Sequence, residues 1–392
     1  MSVLADPGPH VLDRASGAAN AGAAALPLVA RQVGGDEWDR VVSRFDAVCQ
    51  EQLYAFAVRR WPGVAQEPVI FEHQGRVVGG ALMMIQKLPL GLAHIAVSKW
   101  APMLADADGP DKAAIHAGMV EALVAEYAER RGMMLSILPR AAVGPVNEDY
   151  IALRRRGFRR GSQLLFPNRY MVRLGLSDDE QRRSFQQTWR RQLNKSEKSA
   201  LTFEHADAAR IADFKRLYTA MTDRKQFPDH SAYATIDGLM ALAEPLRPEL
   251  FFVRHQGELV AGALIFKAGD RAVYLYGATN DKALPLRAGY FLHWQIIRWL
   301  RDHTPAQWYD LGGTDGFQGL HQFKKGMVGE AGAIRPVPPV TNFAANPLAY
   351  ALGAGAFAAR DVFYHLRRQV DGWRNPKARP DQEQHVTEDY LK

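Results

Sequence analysis

The chain has 392 residues, 47% of them hydrophobic and 23% charged, which is enough apolar material for a sizeable core and a length suited to two or three domains. Lys and Arg outnumber Asp and Glu by 49 to 42, a net +7 with pI near 9.4; this excess is compatible with nucleic acid, phosphate-bearing substrates or an anionic membrane surface. The single Cys49 excludes an internal disulfide framework and a multi-cysteine zinc site, and points to a reducing, cytoplasmic compartment.

Residues 1–30 lack a basic leader, and their apolar run near Ala23–Ala30 is too short and alanine-rich to span a membrane; they read as a disordered tail. The first structured signal is a hairpin, PVIFEHQG followed by RVVGGALMMIQKL, and it returns later as LFFVRHQG followed by ELVAGALIFKAG. HQGRVVGGAL (73–82) and HQGELVAGAL (255–264) share seven of ten letters, and the similarity continues outward from the turn. After the first copy come LAHIAVSKW, a loop, the amphipathic helix DKAAIHAGMVEALVAEYAERRG and the strand MMLSILP; after the second come RAVYLYGAT, a loop, the helix YFLHWQIIRWLRDH and the strand QWYDLGG. Two copies at this distance predict duplicated domains, each a mixed, mostly antiparallel sheet flanked by helices.

The first domain is expected over 31–170 and the second over 171–335. A C-terminal strand and helix over 336–375 would pack back on the first domain, and 376–392 form a second disordered tail. ALRRRGFRRGSQLLFPNRYMVRLGL reads as the closing strands of the first domain. Ser177 and Glu180 form a capping box, which predicts one helix over SDDEQRRSFQQTWRRQLNKSEKSA. Phe185, Trp189 and Leu193 would pack one stripe of it, while Arg191, Lys195 and Lys198 point outward, as a phosphate-binding face or a solvated one.

No Walker loop, strand-associated GxGxxG, HExxH, CxxC or GxSxG is present, and the histidines lack metal-ligand spacing. No metal and no resident cofactor is expected, and His73 and His255 read as turn residues. What remains is a tract in the second half: LY followed by Arg224 and Phe227-Pro228, the VAGAL hairpin leading into YLYGAT, and YDLGG closed by GLHQFKKGMVGE. This tract resembles the Fem-type (FemABX) non-ribosomal peptidyltransferases, with weaker agreement over about 300 residues. The resemblance implies an α/β (α+β) fold of two duplicated GNAT-like domains. It also implies transfer of an amino acid from aminoacyl-tRNA, as co-substrate, to the stem peptide of a peptidoglycan precursor, UDP-MurNAc-peptide or lipid II.

On that resemblance Phe323 stacks on the terminal adenine of the tRNA and the Lys324 ammonium offsets charge at the acyl or ribose oxygen. From the residues alone the pair also fits the end of a surface strand. Arg224 would hold the precursor diphosphate, Tyr276 would line the substrate cleft, Lys325 would face solvent or the tRNA backbone, and Arg191 and Lys195 would bind substrate. Tyr274 and Tyr276 are placed on one strand face by their alternation; Asp310 and Asp315 are candidate bases or turn residues. SKWAP stands where relatives have Arg-Gly-Pro, and Gln295 where an acid is common. NPLAYALGAGAFAARDVFYHLRRQVDGWR reads as a core-docking helix whose Tyr, Phe and Arg also suit contact with the inner membrane surface. A monomer is expected. Two other readings stand beside this one: an acyl-CoA-dependent N-acyltransferase, for which no Arg/Gln-x-x-Gly-x-Gly/Ala loop is found, and a non-catalytic binder of tRNA or cell-wall precursor.

Overall fold

A computed structural model describes residues 25–225, 233–374 and 388–391. In chain order the strands are β1 (Val29–Gln32), β2 (Ala65–His73), β3 (Arg76–Lys87), β4 (His94–Lys99), β5 (Met103–Leu104), β6 (Met134–Leu138), β7 (Arg159–Arg160), β8 (Asn168–Arg173), β9 (Leu201–Ala206), β10 (Glu249–His255), β11 (Glu258–Phe266), β12 (Arg271–Thr279), β13 (Trp308–Asp310), β14 (Ala333–Pro336) and β15 (Thr341–Phe343). They form two sheets, ordered β1-β2-β3-β4-β6-β15-β7 and β14-β8-β13-β12-β11-β10-β9, with β5 paired beside β3. Read from opposite ends, the sheets are one pattern used twice. In each, the neighbours are antiparallel except at one equivalent step, β4 with β6 and β12 with β13, where a loop and helix carry the chain across.

The repeated decapeptides are the second to third strand hairpins of these sheets. Gln74 and Gly75 have φ of 51° and 76°, Gln256 and Gly257 φ of 50° and 80°. Two successive left-handed residues make the tight turn whose twist matches the flanking strands. Both hairpins also slip register at the same place, between Phe71 and Glu72 and between Val253 and Arg254.

The sixth strand of each sheet is exchanged. β7 closes the edge of the first sheet, but β8 crosses to lie between β13 and β14 of the second; β14 closes the second sheet's edge, and β15 crosses back to lie between β6 and β7. The stretch read as closing strands of the first domain is therefore split between both sheets. The boundary expected at 170/171 falls inside β8, so the seam moves back to residues 161–167.

The helices are α1 (Gly35–Val42), α2 (Tyr54–Arg60), α3 (Lys112–Leu123), α4 (Glu148–Arg155), α5 (Asp178–Ser184), α6 (Gln187–Ser196), α7 (Ile211–Lys225), α8 (Ile236–Met240), α9 (Ala288–His303), α10 (Gln318–Val328) and α11 (Pro347–Arg374). In the second half α6, α9 and α10 cover one face of the sheet, with Trp189, Phe291, Trp294 and Ile297 packed on Phe251, Ala263 and Tyr309; α7 covers the other through Phe214 and Leu217. A third cluster joins the halves, bringing Trp38, Phe56, Ile70 and Leu82 against Leu239, Leu246, Phe266 and Val273.

The single helix expected from Ser177 is two. The capping box forms, with the Glu180 carboxylate accepting from the Ser177 N–H at 2.9 Å, but α5 stops at Ser184. Phe185 is extended (ψ 147°), and the freed backbone bonds to the end of α10: Gln186 N–H to Gly326 O at 3.0 Å and Glu330 N–H to Ser184 O at 2.9 Å. Gly329 closes this joint at φ +61°, where an added Cβ would collide with the Ser184 carbonyl. Gly329→Ala is accordingly expected to lower unfolding free energy by about 3 kcal/mol, read as a shift in the urea midpoint; an unchanged midpoint would mean that the joint relaxes freely.

Candidate active site

The Phe323-Lys324 motif lies on a helix and not at the end of a strand. α10 packs its buried side on β8, and its Lys324 is only 6% exposed. The ammonium donates to the Leu311 carbonyl at 2.6 Å and to the Gly313 carbonyl, the two carbonyls that flank Gly312 (φ +75°) just beyond β13. Among the described residues two of its three N–H donors have acceptors, which leaves one for a ligand. Burial pulls its pKa from 10.5 down to about 8, assisted by the like charge of Arg169 and opposed by Asp315 and Asp310. At neutral pH it is a charged donor held in a dry wall by backbone dipoles.

Asp310, at the end of β13, is committed elsewhere. Arg169 of β8 grips it with Nη2 to Oδ2 at 2.9 Å and Nε at 3.1 Å to each oxygen, and the Gly312 N–H adds a bond of 2.9 Å. Burial alone would raise the Asp310 pKa, but Arg169 and these bonds hold it below the usual carboxylate value. A carboxylate so saturated is a turn anchor and not a proton acceptor. Asp315 is exposed in a left-handed turn position, φ +51°.

Phe323 leaves α10 on the other side. Its ring meets Tyr290 at 4.9 Å, His293 at 5.5 Å and Trp189 at 6.2 Å between centroids, while Lys324 turns toward the β13 loop. Behind the ring, His293 is buried and bonded to the Tyr309 hydroxyl at 3.1 Å. Burial and the Lys324 charge push it down to about 3, so it is neutral. Gly326 lets α6 approach, since a Cβ there would stand 3.0 Å from Trp189 Cδ1.

Tyr274 and Tyr276 do not share a face. Between Leu264 and Ile265 the pairing of β11 with β12 slips, so that Leu264 opposes Tyr276 and Ile265 opposes Tyr274. The extra residue, Leu275, turns the strand by one position. Tyr274 therefore meets His293, at 4.8 Å between rings, whereas Tyr276 sits under α7 with its hydroxyl 3.0 Å from Thr235 Oγ1. It is buried, which raises its pKa to about 12. The structure thus places Tyr276 near α7, the helix that carries Arg224 in its last turn, and away from Phe323. The Arg224 side chain and Phe227-Pro228 lie outside the described residues. Arg191 and Lys195 on α6 and Lys325 on α10 are all exposed, on two helices in direct contact.

A cavity of about 30 Å³ opens at the seam on the far side of β13, lined by Cys49, Glu51, Trp100, Arg140, Arg169, Arg271 and Asp310 among others. Arg140 pairs with Asp270 at 2.7 Å, and the Arg169 guanidinium lies 5.6 Å from the Trp100 ring. These residues are far apart in sequence, and only the SKWAP loop, which departs from the Fem pattern, hinted at them.

Residues 183–325 match the family model described as "Acetyltransferase (GNAT) domain", a span that contains α6 to α9 and ends within α10 at Lys325. Among curated proteins, the lipid II:glycine glycyltransferase of Staphylococcus epidermidis (strain ATCC 35984) is 26% identical over 110 residues, 27% of this chain and 26% of that one. Its counterpart in Staphylococcus aureus is 32% identical over 77 residues, 18% of each chain. A crystal structure titled FemX superposes with a TM-score of 0.67 at 16% identity, covering 83% of this chain and 100% of that one. The chain has the GNAT fold and is similar over part of its length to lipid II:glycine glycyltransferases. The duplicated sheets are its two GNAT-like units, and the Lys324 loop belongs to the second. The matched segments span about a quarter or less of the curated Fem-type relatives, 26% and 18% of their lengths.

Proposed function

We propose that this protein is an aminoacyltransferase that moves an amino acid from aminoacyl-tRNA to the stem-peptide amine of a peptidoglycan precursor, lipid II or its soluble UDP-linked form. The observation that carries the reading is the buried, charged Lys324 at the β13 loop of the second GNAT-like domain. The acceptor amine attacks the ester carbonyl, an N–C bond forms, and the ribose oxygen departs with a proton. This exchange needs no ATP, metal or redox group. The free donor of Lys324 stabilises the oxyanion or the departing oxygen, and its dry surroundings strengthen that contact. Phe323, in its aromatic cluster, takes the terminal adenine, and Arg224 and Tyr276 serve the precursor near α7. The relatives named lipid II:glycine glycyltransferases support the acceptor class.

Arg191, Lys195 and Lys325 guide the tRNA backbone. Replacing all three with Ala is expected to weaken binding of aminoacyl-tRNA and to reduce the slope of log affinity against log salt by about 2 to 3. An unchanged slope in a filter-binding titration places the RNA elsewhere.

The deciding assay offers the purified protein labelled aminoacyl-tRNA or acetyl-CoA, with a UDP-linked or lipid-linked muropeptide. Transfer from the tRNA supports the reading. Transfer from acetyl-CoA alone makes the protein an ordinary N-acyltransferase, and no transfer from either donor with binding intact makes it a binding module.

A further inference from the structure

α11 has two unlike faces. Its first half rests on the first sheet, with Ala349 and Phe357 buried and Gly353 against Met134 of β6. Every residue from Ala358 to Arg367 is exposed, so the helix runs off the body it packs on. On the outward side Leu348 is 64% exposed, Val362 61%, Phe363 61% and Leu366 54%. With Ala359 they stand at i, i+11, i+14, i+15 and i+18, which places all five within an arc of about 100°. The row lengthens at its start: Leu92, 65% exposed in the loop after β3, faces Leu348 and Leu352 across a hollow of about 240 Å³. Exposed cations lie near both ends, Lys87 beside that loop and, on the helix, Arg367 and Arg360, the latter paired with the exposed Asp361 at 2.7 Å. Over its length α11 has four arginines against two aspartates. It does not meet the length and hydropathy of a membrane span, nor does any other helix among the described residues.

We propose that this outer row, Leu92 with Leu348, Val362, Phe363 and Leu366, docks the protein flat on an anionic bilayer surface. Apolar side chains enter the acyl boundary while the bordering arginines meet lipid phosphates, the arrangement by which a charged amphipathic helix lies in an interface without crossing it. A second copy is a poor occupant, because two such rows meeting face to face bring their arginines together. The inference deepens the reading above and rests on it for its purpose, since a lipid-linked acceptor is presented at such a surface.

The full-length protein is sedimented with phosphatidylcholine vesicles, with and without phosphatidylglycerol, in the absence of any precursor. Binding is expected to rise at least about tenfold with the anionic lipid and to fall by about as much in Phe363→Glu/Leu366→Glu. In Arg360→Gln/Arg367→Gln the dependence on phosphatidylglycerol shrinks. These side chains project from the body, so thermal stability and transfer to the soluble UDP-linked precursor stay at wild-type levels. The proposal is overturned if wild type stays in the supernatant, if Phe363→Glu/Leu366→Glu sediments like wild type, or if wild type is a dimer that this variant dissociates. Vesicle binding without transfer would instead sink the aminoacyltransferase reading and leave the docking surface standing.

Discussion

Lys324→Ala is expected to reduce kcat/KM for amino-acid transfer by about two to three orders of magnitude, the usual cost of removing one preorganised donor at a developing negative charge. Lys324→Met is the sharper variant, because it keeps the aliphatic stem and removes only the ammonium. Its unfolding free energy should stay within about 2 kcal/mol of wild type, since the lost bonds to Leu311 and Gly313 are offset by relief of a buried charge. The pH dependence separates a chemical role from a structural one. With a folded pKa of about 8 against an ordinary 10.5, activity that needs the ammonium falls as pH rises through about 8. Stability moves the other way: between those two values the unfolded chain binds more protons than the folded one, so unfolding free energy increases with pH. A lysine that merely props the loop would let activity follow stability upward, and wild-type turnover in Lys324→Met would move the site elsewhere.

The second large effect is expected at Arg169. Arg169→Met strands the buried Asp310 carboxylate with the Gly312 N–H as its remaining bonded partner, at a cost of about 3 kcal/mol, the lower end for breaking such a pair because the Arg169 side chain is 22% exposed. Removing both partners in Arg169→Met/Asp310→Leu should cost less than removing the arginine alone. The Asp310 pKa is held below the unfolded value, so the stability it contributes is fully present above the unfolded pKa and is lost as pH falls through the folded one. Asp310→Asn is therefore expected to flatten the acid limb of the stability curve. If the double variant proves less stable than Arg169→Met, the pair is a net stabiliser of the seam and the desolvation argument fails. The pair also fixes the loop that Lys324 caps, so a slower enzyme with unchanged KM is expected from Arg169→Met.

Much of this was legible in the sequence where the cause is local. Paired Gln-Gly turns with β-branched flanks fold as hairpins wherever they occur, and the capping box at Ser177 starts its helix because both partners lie within one turn. Duplication could be read because two such local signals recur in the same order. The Phe323-Lys324 motif was visible as a pattern of residue types, but the pattern says nothing of where each side chain points.

What tertiary structure decided are the features whose energy comes from residues far apart. The end of α10 competes for the backbone at 184–186 and splits a helix that periodicity alone continues. One slipped pairing between β11 and β12 sends Tyr274 and Tyr276 to opposite faces, because a strand's side chains alternate with a period of two. The exchange of β8 and β15 brings Arg169 to Asp310, 141 residues apart, and that closure buries Lys324, the burial and the nearby Arg169 charge lowering its pKa. Local signals set the repeated elements and mark the candidate residues; long-range packing sets which of them are buried, paired and charged.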